Sequence, residues 1–294
     1  MTITGKNLIA GEWSGETDGG FVAFDAQANK PMLTQFANAT EFEVNTAIER
    51  ANEAFCSYSQ LSAEKRAEFL RAIGEQILAL GDKLVTIASV ETGLPKMRIQ
   101  GERGRTIGQL GLFADLLEKG EYQGVIDLAD ADRQPLPKPD TRLGYLPLGV
   151  VGVFAASNFP LAFSTAGGDT ASALAAGCPV VMKAHAAHPG TAELVAQAIL
   201  KAIEICGIDK GVFSLIQGKN YAIASQIVAH PLVKAVAFTG SKRVGMILQA
   251  QINQRPAPIP YYGELGSVNP QFILPGKLAQ DAAAMAQALV ASLM

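Results

Sequence analysis

The sequence predicts an α/β fold, a parallel sheet covered by helices and preceded by a helical layer. Three observations lead there. From Gly149 onward, short apolar runs alternate with stretches of helical spacing, the pattern of strands buried on both faces. Before about residue 120 the apolar positions keep largely to the helical repeat. Third, the apolar run Ala235–Phe238 ends in Thr-Gly-Ser241. Ser241 there can cap a following helix, whose free amides and positive end suit a phosphate.

The elements follow in order. Residues 7–24 alternate around Gly and Asp turns and read as a small hairpin. Thr40-Glu-Phe-Glu43 is a capping box, after which Val44, Ala47, Ile48, Ala51, Phe55 and Tyr58 repeat at helical spacing. A second helix carries Phe69, Leu70, Ile73, Ile77 and Leu80 and stops at Gly81. A third runs from Asp82 to Thr92 before Gly93-Leu-Pro95, and a charged fourth covers 96–119. Residues 121–147 hold Pro135, Pro137, Pro139 and Pro147 and read as a linker or extended arm. Arg142-Leu-Gly-Tyr-Leu146 suits addition of a strand to a neighbouring subunit, with a solvated loop as the alternative. Strands are then expected at Val150–Ala155, Val180–Lys183, Val212–Ile216, Ala235–Phe238 and Tyr261–Leu265. Helices between them are expected at Ala162–Ala176, Thr191–Cys206, 220–229 and from Ser241. Ser267–Leu274 reads as extended and Ala279–Leu293 as helical. Right-handed crossovers make such a sheet Rossmann-like. The Gly-x-Gly-x-x-Gly fingerprint is missing, because the first strand runs into Ala156-Ser-Asn-Phe-Pro160. Either the fold binds no dinucleotide or it does so through a different turn.

Bulk properties exclude several functions. A net charge of −3 gives no electrostatic case for nucleic acid or an anionic membrane. No apolar run approaches the ~20 residues of a membrane span, and Met1-Thr-Ile-Thr-Gly-Lys6 lacks a signal-peptide pattern. The 3 widely spaced cysteines favour a reducing, cytoplasmic setting. Of the 3 histidines, His185 and His188 share one turn without a third ligand, so structural hydrogen bonding outweighs metal binding. Cys56, Cys178 and Cys206 read as small buried hydrophobes. Arg98, Glu102, Arg103 and Arg105 read as a solvated charged face, with contact between Arg105 or Gln109 and a polar substrate the minority reading. Glu264, between two glycines beyond the Thr-Gly-Ser turn, suits a general base beside a dinucleotide site.

Motifs along the whole chain resemble the aldehyde dehydrogenase family: Ile9-Ala-Gly-Glu-Trp13, Glu91-Thr-Gly-Leu-Pro95, Ser157-Asn-Phe-Pro160, Phe238-Thr-Gly-Ser241 and Glu264-Leu-Gly-Ser267. Gly104-Arg-Thr-Ile-Gly-Gln109, Gly167-Gly-Asp-Thr-Ala-Ser-Ala173, Lys183-Ala-His-Ala-Ala-His-Pro189 and Ser267-Val-Asn-Pro270 resemble the branch of 2-oxoglutarate semialdehyde and NADP-linked fatty-aldehyde dehydrogenases. The resemblance implies oxidation of a small aldehyde to a carboxylic acid. It also implies a cofactor domain without the glycine fingerprint, and a homo-oligomer for the full-length family member. Divisions follow at 1–124 (helical part), 125–146 (oligomerisation arm), 147–263 (cofactor core) and 264–294 (start of a truncated catalytic domain).

In that family a cysteine thiolate adds to the aldehyde, and the resemblance distributes the remaining roles. Asn158 matches the side-chain amide that donates to the oxyanion, and Glu264 the base that activates water against the thioester. Lys183 matches the lysine on the adenosine ribose. Gly240, Ser241 and Gly245 match the helix start over the diphosphate. Ala156, Ser157, His185, Gly218 and Leu265 complete the implied cofactor set, and Phe159 the substrate set. NAD-preferring members often carry a glutamate three residues after the lysine; Ala186 stands there and favours NADP over NAD, with Lys219 a candidate for the 2′-phosphate. No metal is implied. The family's Gly-Gln-x-Cys nucleophile is expected just past Met294, so this chain alone is expected to be inactive; the alternatives are a non-catalytic nucleotide-binding fragment, decayed or completed by a second polypeptide, and an oligomerisation partner that joins intact family members through residues 125–146. Leu278, Met285, Leu289, Val290 and Leu293 are then expected to expose apolar surface.

Overall fold

The computed structural model describes residues 2–120, 122 and 124–293; Met1, Glu121, Gln123, Met294 and the Leu293 side chain lie outside the described residues. The first segment forms a tight hairpin, β1 (Asn7–Ile9) and β2 (Glu12–Ser14). Its two-residue turn, Ala10-Gly11, has φ of 48° and 88°. Positive φ at both turn positions matches the right-handed strand twist, which is why glycine sits there. A second hairpin, β3 (Phe21–Asp25) and β4 (Lys30–Phe36), is held at its turn by Asp25, whose carboxylate accepts from the Gln27 and Ala28 amides.

Four helices follow: α1 (Glu41–Tyr58), α2 (Ala63–Ala79), α3 (Gly81–Thr92) and α4 (Lys96–Lys119). The capping box is formed, since Thr40 Oγ1 accepts from the Glu43 amide and Glu43 accepts from the Thr40 amide. Gly93 ends α3 in the left-handed conformation at φ 74°. Among the described residues the arm's strands pair with each other, β5 (Ile126–Asp127) with β6 (Thr141–Arg142), and Ile126, Leu128, Leu143 and Tyr145 are exposed on it.

Strands and helices then alternate. They are β7 (Val150–Phe154), α5 (Gly168–Ala175), β8 (Val180–Lys183), α6 (Pro189–Cys206), β9 (Phe213–Ile216), α7 (Tyr221–Ala229), β10 (Val233–Thr239), α8 (Lys242–Asn253) and β11 (Tyr261–Glu264). The sheet has seven strands in the order β11-β10-β7-β8-β9-β1-β2. The five strands from β7 to β11 are mutually parallel. Alternate residues serve opposite faces: Val151 and Val153 belong to the core cluster that holds Phe69, Leu174 and Ile199, while Val150 and Phe154 belong to the cluster that holds Ile48, Ile227 and Leu248. Burial on both faces explains the continuous apolar runs.

Five expectations need correction. The sheet is mixed, because β1 pairs antiparallel with β9 at Leu8–Leu215; a strand already buried on both faces (all three residues) joins the core sheet instead of standing apart. Residues 7–24 are not one hairpin, since β3 turns onto β4. The helix expected from Ala162 begins at Gly168, because 161–167 form turns held by a carboxylate from α4. Cys56 is exposed, whereas Cys178 and Cys206 are buried as expected. The last helical stretch is broken at Asp281 into α9 (Pro275–Gln280) and α10 (Ala282–Leu293). Leu278 and Val290 are exposed there, and Met285 and Leu289 partly so. Among the described residues no helix is long and apolar enough to cross a membrane.

Candidate active site

The candidate residues gather where the parallel strands end at their carboxyl termini, the place where open α/β sheets bind ligands. Strand β7 delivers Ala156 and Ser157, β8 delivers Lys183, β9 leads to Gly218 and Lys219, and β10 leads to Gly240 and Ser241. These residues and His185 line one cavity of about 340 Å³. Beside it a cavity of about 910 Å³ is lined by Asn158, Phe159, Asp169, Glu264, Leu265 and Arg105. Ser157, Thr239, Gly240 and Ser241 line both, so the two spaces meet at the β7 and β10 turns.

The smaller cavity is cationic and rich in donors. Lys183 Nζ donates to the carbonyls of Ala184 and Gly218, each at 2.6 Å. Burial pushes its ammonium down to about 8. The Lys219 amide donates to Asn38 Oδ1 at 2.9 Å, fixing the loop that carries its side chain. Ser241 caps α8 by accepting from the Val244 amide. The amides before Val244 have no intrahelical partner. By contrast, the α6 N-terminus is occupied: Glu91 accepts from the Gly190 and Thr191 amides and from Thr191 Oγ1. Burial pushes Glu91 up to about 7.

The histidines brace the walls. His188 is fully buried, and its Nε2 lies 2.8 Å from the Ala156 carbonyl. A carbonyl only accepts, so Nε2 carries the hydrogen and donates. Burial depresses the His188 pKa, which keeps the ring neutral and ties the β8 loop to the β7 turn. His185 stacks on it at 5.5 Å and is pushed down to about 4, first by burial, then by His188 and Lys183. The structural reading of the pair fits this geometry.

Glu264 is aimed by the sheet edge. It pairs with Thr239 across β10 and β11, and its carbonyl accepts from the Gly240 amide at 3.0 Å. Leu265 packs on α8 so closely that a Cβ on Gly245 would lie 2.1 Å from Leu265 Cδ2. Gly245 therefore acts through packing: it lets the cap at Ser241 and the carboxylate at Glu264 flank one space.

Asn158 and Phe159 sit on the turn after β7, and α4 holds that turn. Glu102 Oε1 accepts from the Leu161 and Ala162 amides at 2.7 and 2.9 Å. Arg98 donates to the Asn158 carbonyl at 3.3 Å, and Arg103 to the Gly81 carbonyl at 2.9 Å. The expectation of a merely solvated face is thus corrected, because Glu102 is only 5% exposed. A signal was present in the spacing: Ile99, Glu102, Thr106, Leu110, Ala114 and Leu117 form the buried stripe of α4.

Asp169 stands in the Gly167–Ala173 motif, which assigned it no role. It lies in the first turn of α5, and its Oδ2 accepts from Thr239 Oγ1 at 3.3 Å. Burial raises its pKa, with the Glu264 charge as a further cause. Asp169 and Glu264 face one cavity together with an amide and a guanidinium. Such a site can stabilise a developing oxyanion and withdraw a proton from water. Cys56, Cys178 and Cys206 do not line this cavity.

Compared with known proteins, residues 15–294 match the aldehyde dehydrogenase family. The chain is 49% identical over 295 aligned positions to alpha-ketoglutaric semialdehyde dehydrogenase 2 of Azospirillum brasilense, covering 100% of this chain and 56% of that protein. It is 47% identical over 289 positions to alpha-ketoglutaric semialdehyde dehydrogenase of Acinetobacter baylyi, covering 98% and 55%. A solved succinate-semialdehyde dehydrogenase from Burkholderia pseudomallei superposes with a TM-score of 0.79 at 29% identity, over 92% of this chain and 53% of that one. The chain spans about half the length of the curated relatives it matches.

Proposed function

Because the chain belongs to the aldehyde dehydrogenase family, we propose that it forms the cofactor-binding half of an enzyme that oxidises 2-oxoglutarate semialdehyde to 2-oxoglutarate. The observation that carries this reading is the shared wall of the two cavities, with donors on one side and Asn158 and Glu264 on the other. The names of the two relatives at 49% and 47% identity support the choice of aldehyde.

The donor set suits a nicotinamide dinucleotide. Lys183, already fixed by two carbonyls, presents its remaining N–H to a ribose hydroxyl. The free amides of the α8 first turn suit a diphosphate, and the small side chains of Ala156 and Ala186 leave room beside them. Ala186 places no carboxylate against a 2′-phosphate and Lys219 offers a cation, which favours NADP over NAD. Lys183 and the α8 amides would hold the cofactor, which would supply a hydride acceptor for the carbon once a thiolate has added to it. Asn158 donates its amide to the oxygen of that carbon as charge builds there. Glu264 takes a proton from the water that releases the acid.

None of Cys56, Cys178 and Cys206 lines the larger cavity, so in this reading the nucleophilic thiol is supplied from outside these 294 residues, which alone bind cofactor without turnover. Two measurements test this. NADP⁺ titrated into the purified chain is expected to bind, and Lys183→Ala to abolish the binding. Aldehyde-dependent NADPH formation is expected to be absent; robust turnover by the 294 residues would sink the assignment of the thiol.

A further inference from the structure

The larger cavity carries a guanidinium without an acidic partner. Arg50, Arg71 and Arg142 all pair with carboxylates. Arg105 does not: among the described residues its polar atoms meet no hydrogen-bond or ion-pair partner, and its contacts are with rings. Its Cζ lies 5.0 Å from the centre of the Phe163 ring and 5.7 Å from that of Phe159. Phe159 and Phe163 meet edge to face at 5.2 Å, and Arg98 lies 5.2 Å over Phe159 while holding the Asn158 carbonyl. The charge is therefore held in place before anything binds, and an exposed arginine stem gains little else from that position.

We propose that Arg105 is a specificity-determining residue that receives the carboxylate at the far end of the aldehyde substrate. This rests on the aldehyde oxidation argued above. A planar guanidinium braced on aromatic faces presents paired N–H groups to a carboxylate and loses little freedom in doing so. The same cavity carries Glu264 and Asp169, which repel a carboxylate. An acid-bearing aldehyde consequently has one favourable orientation: carboxylate at Arg105, aldehyde carbon toward Asn158 and Glu264. A neutral aldehyde of equal length has no such preference.

The test uses the 294-residue chain with 5-oxopentanoate and its uncharged counterpart pentanal, each titrated and followed by NMR, with NADP⁺ binding measured in parallel. The wild type is expected to favour the acid. Arg105→Ala should weaken 5-oxopentanoate about tenfold and leave pentanal unchanged, the loss of a charge-assisted contact. Arg105→Lys should fall between, because it keeps the charge and loses the fork. NADP⁺ affinity should not change in either variant. An unaltered acid-to-neutral ratio in both variants with NADP⁺ binding intact overturns the inference and leaves the proposed function standing. So does a wild type with no preference for the acid. Failure of the wild type to bind NADP⁺ removes the functional reading, and the inference with it. If Arg105→Ala loses NADP⁺ as well, Arg105→Lys decides by the same ratio.

Discussion

Replacing Glu102 with alanine should loosen the turn that carries Asn158. In the folded chain the Leu161 and Ala162 amides are buried and both donate to Glu102 Oε1. Alanine removes the acceptor and leaves two buried N–H groups, each costing about 1–3 kcal/mol. Water entering the vacated space recovers part of that cost, so the expected loss is about 3 kcal/mol, in the lower half of the combined range. Glu102→Gln is the informative partner. It keeps a carbonyl oxygen for both amides, and among the described residues Glu102 Oε2 has no hydrogen-bond partner, so little else is lost. The glutamine variant should stay within about 1 kcal/mol of wild type. Urea unfolding followed by far-UV circular dichroism gives both numbers from the midpoint and slope. An alanine variant within about 0.5 kcal/mol of wild type, the range of an ordinary surface substitution, would refute the reasoning.

Three further outcomes are expected. Lys219→Ala should lower affinity for NADP⁺ more than for NAD⁺, and Ala186→Glu should reverse the preference; fluorescence titration with both cofactors reads the ratio, and a wild type that favours NAD⁺ contradicts the assignment. Glu91, raised from 4.5 to about 7, binds its proton more tightly in the folded chain. Its contribution is therefore complete below pH 4.5 and is lost as pH rises through about 7, a change of about 3 kcal/mol; urea midpoints from pH 4.5 to 8 should fall more in wild type than in Glu91→Gln, and parallel profiles would exclude it. Gly245→Val should displace Leu265 and cost about 1–3 kcal/mol, with weaker NADP⁺ binding; unchanged stability would show that α8 and β11 tolerate separation.

Much of this architecture was legible in local sequence. The capping box at Thr40 and Glu43, the glycine stop at Gly93, and the five parallel strands all formed as read. Asn158 and Glu264 line one cavity because Asn158 follows β7 and Glu264 ends β11, the two strands that flank β10 in the sheet. What escaped were pairings set by tertiary contact. The antiparallel addition of β1 depends on β9, far along the chain. The spacing of Glu102 marks the buried face of α4, but nothing local marks the two amides of the β7 turn that donate to it. Asp169 becomes part of the site only when α5 brings it to Thr239. Such meetings have no short-range signature, since the residues involved are ordinary in their own elements.

The pairing of Leu8 with Leu215 also sets a timetable. On a ribosome adding roughly 5–20 residues per second, β1 emerges and then waits on the order of 10–40 s for the strand it completes. For that interval Leu8 and Ile9, both buried in the finished fold, face solvent or a chaperone. The first strand made thus finds its place in the sheet only once β9 has been synthesised.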